Sequence, residues 1–311
     1  MRDEILAFEL TGLGAVRVQG ADAERFLQGQ LSGDVRRLTP ERSQLSGLHN
    51  PQGRAVALLR LVRLGADDIL AVLPRELAPA VTARLGRYVL RAKVKLSDES
   101  DRWRVHGVLA PDPATATQAV GFALPEQLHE QAQVGDAFVV RTGHPSSRWT
   151  ILTPADSRLP LADLPSGNPD IWRRLDIAEG WPQVYAATSE AFVAQMLNLD
   201  AIGAVAFDKG CYTGQEVIAR AHYRGRVKRR MQRLRSRTDC NFSPGDSGTL
   251  ADGRSFRVVD AVRLDDGRCE FLAVAPLTSA ERESEEAGIG TASGVPVIDA
   301  ETLDLPYSIL E

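Results

Sequence analysis

The chain has 311 residues and a net charge of −4, from 37 Lys and Arg against 41 Asp and Glu, which argues against a general nucleic-acid coating protein and confines any such contact to a local patch. Hydrophobic residues at 43% and charged residues at 25% are those of an ordinary soluble protein, long enough for two or three domains. Cys211, Cys240 and Cys269 are too scattered for a CxxC metal site and too few for a disulfide framework, which suits a reducing compartment, and neither a signal peptide nor a membrane-spanning apolar run is expected.

In chain order, residues 5–10 and 15–18 read as two strands joined in a hairpin by Thr11-Gly12-Leu13-Gly14. Gly12-x-Gly14 lacks the third glycine and the following helix of a dinucleotide loop. Asp22 is placed to cap a short helix carrying Phe26 and Leu27 and ended by Gly29, after which Gln28, Gln30 and Asp34 either line a cavity or solvate a loop. A turn at Asn50-Pro51-Gln52-Gly53 leads into strands over Val56–Val62 and Ile69–Leu73. Pro74 opens a helix with Leu77, Val81, Leu85 and Tyr88 at helical spacing, and Val94 and Leu96 mark another strand. Strand pairs alternating with single helices imply an α+β fold rather than a doubly wound sheet.

Further strands fall at Trp103–Leu109, Phe138–Arg141 and Trp149–Leu152, with the Ala, Thr and Pro-rich stretch Pro111–Gln118 read as a surface connection. His106, His129 and His144 show no ligand spacing. Asn168-Pro169 is an N-cap and first-turn pair for a helix holding Trp172, Leu175 and Ile177 and closed by Gly180. Trp172 is either core or a flat wall for an aromatic ligand, and Gln195 and Asn198 offer amide donors and acceptors.

The stretch from Asp208 to Arg237 holds the densest chemistry. Thr213 and Glu216 have capping-box spacing, with Tyr212 and Val217 placed for a hydrophobic staple, so a helix is expected from Gly214 to about His222. Cys211 would then stand just before a helix N-terminus with Lys209 close by, and both influences favour the reactive thiolate. The alternative is a small buried cysteine beside an ordinary helix cap. From Arg220 to Arg237 there are nine Lys or Arg and no Asp or Glu, which reads either as a site for an anionic partner or as a solvated strand. Short strands at Gly248–Leu250, Ser255–Val262 and Glu270–Ala275 indicate a small all-β unit, a barrel, and Ser279–Thr291 reads as a long loop.

The octet KGCYTGQE, Lys209 to Glu216, together with GADAERFLQGQLSGDV from Gly20, HNPQGR from His49, the Gln195-x-x-Asn198 pair and the C-terminal LPYSILE, resembles the YgfZ family along almost the whole chain. That family comprises folate-binding proteins linked to iron–sulfur cluster assembly and tRNA modification and related to the glycine-cleavage T-protein. The resemblance implies a T-protein-like ring of α+β folate-binding subdomains over residues 1–228, with boundaries near 100 and 165, and a C-terminal β-barrel over 229–311. It also implies tetrahydrofolate, or another reduced folate, in a central cavity with Cys211 on its rim. Cys211 and Lys209 become the candidate catalytic pair, and Trp172, Leu13, Gln195, Asn198, Tyr212, Glu216, Arg220 and Arg226 the candidate folate-binding residues. Asn50, Ala194 and Leu13 depart from the Asp, Pro and Trp common in relatives, so Trp172 takes over pterin stacking. The T-protein's catalytic carboxylates follow its Gly-Gly step, whereas this chain reads Arg54-Ala55-Val56-Ala57-Leu58, which disfavours aminomethyl transfer.

The leading expectation is a cytoplasmic tetrahydrofolate-binding accessory protein that supports iron–sulfur cluster assembly or repair and thereby tRNA modification, with iron–sulfur client enzymes or assembly proteins as partners. A folate-dependent one-carbon transferase using Cys211 as nucleophile is the first rival. A tRNA-binding protein using the 220–237 basic segment is the second.

Overall fold

The computed structural model describes residues 4–157, 161, 163–225, 227–277 and 296–309. The long loop expected at 279–291 lies outside these residues. Among the described residues no helix is long and apolar enough to cross a membrane.

Three sheets organise the chain. The first strand, β1 (Leu6–Glu9), and β2 (Leu13–Gln19) both form, but not as a hairpin. β1 pairs with β7 (Trp103–Ala110), in register Leu6 to Leu109, whereas β2 pairs with β5 (Asp68–Pro74) and β6 (Lys95–Asp98). The chain turns at Leu13, whose amide donates to the Leu10 carbonyl at 2.9 Å, and the two strands part because their buried faces serve different sheets. β1, β7, β8 (Gln131–Val134), β9 (Ala137–Arg141) and β10 (Ser147–Pro154) make one antiparallel sheet in the order β1-β7-β10-β9-β8. β3 (Gln44–His49) and β4 (Ala55–Gly65) join β5, β2 and β6 in a second, ordered β3-β4-β5-β2-β6. In β4 both alternations of the strand from Ala55 to Leu59 are buried, as a strand covered on two faces requires.

Helices cover these sheets. Asp22 precedes α1 (Ala23–Gln30) without capping it, because its carboxylate accepts the Lys93 amide at 2.8 Å instead. α2 (Ala78–Gly86) follows a short 3-10 turn after Pro74. The stretch read as a surface connection is α3 (Pro113–Val120), started by Asp112, which accepts the Thr115 amide at 2.8 Å, with Pro113 in its first turn. α4 (Pro169–Ala178) begins as expected, with the Asn168 side chain accepting the Asp170 amide at 2.9 Å, and Gly180 follows it at φ 69°.

After α5 (Gln215–Tyr223) the chain enters a third sheet, nearly closed into a barrel. Its strands are β11 (Arg229–Ser236), β12 (Ser247–Leu250), β13 (Ser255–Arg263), β14 (Cys269–Pro276), β15 (Val297–Ile298) and β16 (Ala300–Leu303), in the order β15-β12-β13-β14-β11-β16. Phe256, Phe271 and Leu234 fill its interior. One hydrophobic cluster runs from Leu27 and Leu59 through Ile177 and Ile218 to Met231 and Leu272, so the second sheet and the barrel share a core. A second cluster, with Phe8, Val72 and Trp172, joins the first and second sheets.

His49, at the end of β3, is 1% exposed with Nε2 3.1 Å from Ser32 Oγ, and burial pulls its imidazole down to about 4. The unfolded chain therefore binds the proton more readily, and the folded state loses stability as pH falls from about 6.5 towards 4. Replacing His49 with Gln removes this titration. The pH dependence of unfolding free energy over that window is expected to flatten by about 3 kcal/mol, measured by urea denaturation at successive pH values.

Candidate functional site

The KGCYTGQE segment is built around Lys209. Its Nζ donates to the carbonyls of Gln28 at 2.8 Å, Leu31 at 2.6 Å and Gly33 at 2.8 Å, which lie at and beyond the C-terminal end of α1. An ammonium has three hydrogens, so none remains for Cys211. The expected pairing of Lys209 with the Cys211 sulfur gives way to a clamp, because three carbonyls near a helix C-terminus need a cationic donor more than an exposed sulfur does. Burial pulls Lys209 down to about 8. Tyr212 is buried with its ring centroid 5.1 Å from Lys209 Nζ and 6.4 Å from the His49 ring, and burial pushes its phenol up to about 12.

The helix starts one residue later than expected and without the Thr213–Glu216 capping box. Gly214 is the N-cap at φ 83°, and Gln215 rather than Glu216 reaches back, its Oε1 accepting the Tyr212 amide at 3.2 Å. A side chain at Gly214 would strike the Asn50 carbonyl, since a Cβ there would lie 2.4 Å from that oxygen, so the octet rests backbone to backbone on the Asn50–Gly53 turn. Val217, placed by its spacing for the staple, lies against Gly53 and is 40% exposed. Three separate sequence motifs thus meet around Cys211, which is itself exposed.

Gln195 and Asn198 serve the core. Gln195 Nε2 donates to the Ile218 carbonyl at 2.7 Å, and Asn198 Nδ2 to the Met231 carbonyl at 2.9 Å, so they tie a 3-10 turn to α5 and β11. The basic run divides likewise. Arg230 is 3% exposed and holds Asp200 through two bonds of 2.8 and 3.0 Å, while Arg233 and Arg235 converge on the fully buried Glu270. Arg220 and Glu216 are exposed, and Arg226 lies outside the described residues.

A cavity of about 320 Å³ opens elsewhere, where the three sheets meet. Leu13, Leu58 and Arg60 line it from the second sheet, Thr142 and Thr150 from the first, Trp172 and Asp176 from α4, and Asp260 from β13. Leu13 and Trp172 are brought together there; Cys211, Lys209, Gln195, Asn198, Tyr212, Glu216 and Arg220 are not among its lining residues. Trp172 packs on Phe8 with centroids 5.4 Å apart, and the buried Arg148 lies 4.8 Å from its ring centroid. Arg148 bridges Asp176 at 2.8 Å and Glu179 at 2.6 Å, and burial pushes the Asp176 carboxyl up to about 6 against the pull of Arg148. Arg60 Nη1 lies 3.1 Å from His129 Nδ1, which burial holds neutral at about 3, and 3.5 Å from Ser43 Oγ.

Comparison with known proteins decides the family. No family model matches the chain. The tRNA-modifying protein YgfZ of Cronobacter sakazakii (strain ATCC BAA-894) is 31% identical over 304 residues, covering 94% of this chain and 90% of that protein. The chain belongs to the YgfZ family. The protein of the same name from Escherichia coli O157:H7 (strain EC4115 / EHEC) is 31% identical over 260 residues, 81% of this chain and 79% of the relative. The glycine cleavage system aminomethyltransferase T from Bartonella henselae superposes with a TM-score of 0.66 at 17% identity, covering 89% of this chain and 79% of that one. The α+β, T-protein-like fold with a barrel-like C-terminal sheet is therefore the fold of this YgfZ-family chain.

Sequence reasoning missed Arg60, Asp176, Trp181 and Asp260, all of which line the cavity. Two signals were present. Asp176 stands four residues after Trp172, on the same helix face, and Arg60 is a charge at a position sharing a strand face with Leu58 inside an apolar run.

Replacing Lys209 with Met leaves three carbonyls without their donor and is expected to cost at least about 2 kcal/mol of unfolding free energy, whereas the exposed Cys211→Ser stays within about 0.5 kcal/mol of the parent. Chemical denaturation of both variants separates the clamp from the thiol.

Proposed function

We propose that this YgfZ-family chain is a cytoplasmic tetrahydrofolate-binding accessory protein that supports iron–sulfur cluster assembly or repair and, through it, tRNA modification. The observation that carries the reading is the cavity at the junction of three sheets in a T-protein-like fold. Its volume of about 320 Å³ falls in the range of small-molecule sites. Trp172, Trp181 and Leu13 give it flat apolar walls, and a few polar groups break them, which fits a pterin ring. The name borne by the relatives supports the link to tRNA.

Tetrahydrofolate, when bound, supplies a reduced ring and a one-carbon carrier. The chain supplies the cavity and, on a separate surface, an exposed thiol at Cys211. A single thiol does not hold a cluster unaided, so Cys211 acts on or with a client that brings the other ligands. Aminomethyl transfer is less well supported, because β4 contributes Leu58 to the cavity and no carboxylate.

Anaerobic titration with tetrahydrofolate, followed by tryptophan fluorescence, is expected to show saturable binding, weakened about tenfold or more in Trp172→Ala. Cys211→Ala is expected to bind within about twofold of the parent. In cells lacking the family member it nevertheless fails to restore an iron–sulfur tRNA-modifying enzyme. Absence of tetrahydrofolate binding by the parent protein overturns the reading, and full restoration by Cys211→Ala removes the role of the thiol.

A further inference from the structure

The cavity wall places an arginine, Arg60, near the Asp176 carboxylate with no hydrogen bond between the two. Among the described residues no salt bridge reaches the Arg60 guanidinium, whose Nη1 contacts Ser43 and the neutral His129 and whose Nε and Nη2 have no protein acceptor. Arg63, Arg148 and Arg230, buried arginines around the core, are different, since each is paired with a carboxylate of the chain. Arg60 is only partly buried, and desolvation pulls it down to about 10 against the pull of the Asp176 carboxylate, so a ligand acceptor would take the place of water at its remaining donors. Asp176 shows the complementary gap. Its Oδ1 accepts from Arg148, but no donor of the described residues reaches Oδ2, and the side chain is 20% exposed. Both residues line the cavity that holds Trp172.

We propose that Arg60 and Asp176 together read the 2-amino-4-oxo edge of a pyrimidine-lactam ring, Arg60 donating to the lactam oxygen and Asp176 Oδ2 accepting from the ring's amino and amide hydrogens. The proposal rests on the folate-binding reading for the pterin as its source, but the same edge occurs in guanine. A donor and an acceptor side by side on a planar ring is the arrangement that leaves neither side chain unpaired, and it rejects rings with that polarity reversed. The anionic tail of a folate is a poorer match for Arg60. Glu9, Asp170, Asp176 and Asp260 line the same cavity against Arg60 and Arg173, so a dicarboxylate would meet an excess of like charge. Arg60 is in this sense a specificity-determining residue, placed by β4 on the same face as Leu58.

The first test needs no variant. The parent protein is titrated with 6,7-dimethylpterin and with 6,7-dimethyllumazine, which exchanges the 2-amino donor for an oxo acceptor and places a proton on N1. At least about tenfold preference for the pterin is expected, and equal affinity overturns the proposal. Arg60→Met then weakens the pterin about tenfold or more, Arg60→Lys recovers part of the loss, and Asp176→Asn narrows the gap between the two ligands. Urea melts confirm that the variants fold. Tetrahydrofolate binding that is unchanged in Arg60→Met overturns this inference and leaves the folate reading standing. Binding of guanosine but of no pterin, with the same dependence on Arg60, supports the edge recognition and overturns the folate reading. Binding of neither ring overturns both.

Discussion

The arrangement of this molecule around its exposed cysteine depends on one buried ammonium. Placing Lys209 out of water costs several kcal/mol, and the cost is offset only because three carbonyls at and beyond the end of α1 receive all of its hydrogens. Those carbonyls are left over where the helix stops, and the negative end of the helix dipole favours a cation there. Lys209 thereby fastens α1 to the segment carrying Cys211, while Gly214 lets that segment lie directly on the Asn50–Gly53 turn. The thiol is held at the surface by neighbours whose polar groups are already engaged with one another.

Charge is used in a similar way elsewhere. The run from Arg220 to Arg237 looks in one dimension like a surface awaiting an anion. In three dimensions Arg230 closes on Asp200, and Arg233 and Arg235 close on Glu270, so much of the run joins the barrel to its surroundings. Burial and pairing turn much of a potential docking surface into internal scaffold, and the exposed remainder is Arg220 on α5 with Arg224, Lys228 and Arg237 beyond it. By contrast Arg60, one of two arginines in the otherwise apolar β4, stands at the cavity wall with no salt bridge among the described residues.

The cavity and the cysteine are separate features of the fold. Three sheets meet at Trp172 and Asp176, and the helix bearing both is packed between the first sheet and the barrel. Arg148 sits beneath this helix between two acids and close to the Trp172 ring, so the wall of the cavity is fixed by a buried ion cluster as well as by apolar contacts. A ligand site and a surface thiol supported by different packing can be altered one at a time.

Local signals in the sequence determined much of the secondary structure. Asn168-Pro169 starts a helix because its side chain and ring satisfy the first turn without help from elsewhere, and the turn at Asn50 forms because the Asn50 side chain accepts the Gln52 and Arg54 amides at 3.0 Å each. The motifs around Lys209 also sufficed to indicate the family. What the tertiary structure alone decided was pairing: that β1 leaves β2 for β7, that Lys209 turns to carbonyls about 180 residues away in sequence rather than to Cys211, and that Gln195 and Asn198 serve the core. A residue's type fixes what it can donate or accept, but which partner it meets is set by long-range packing, and that choice separates a structural tie from a ligand contact.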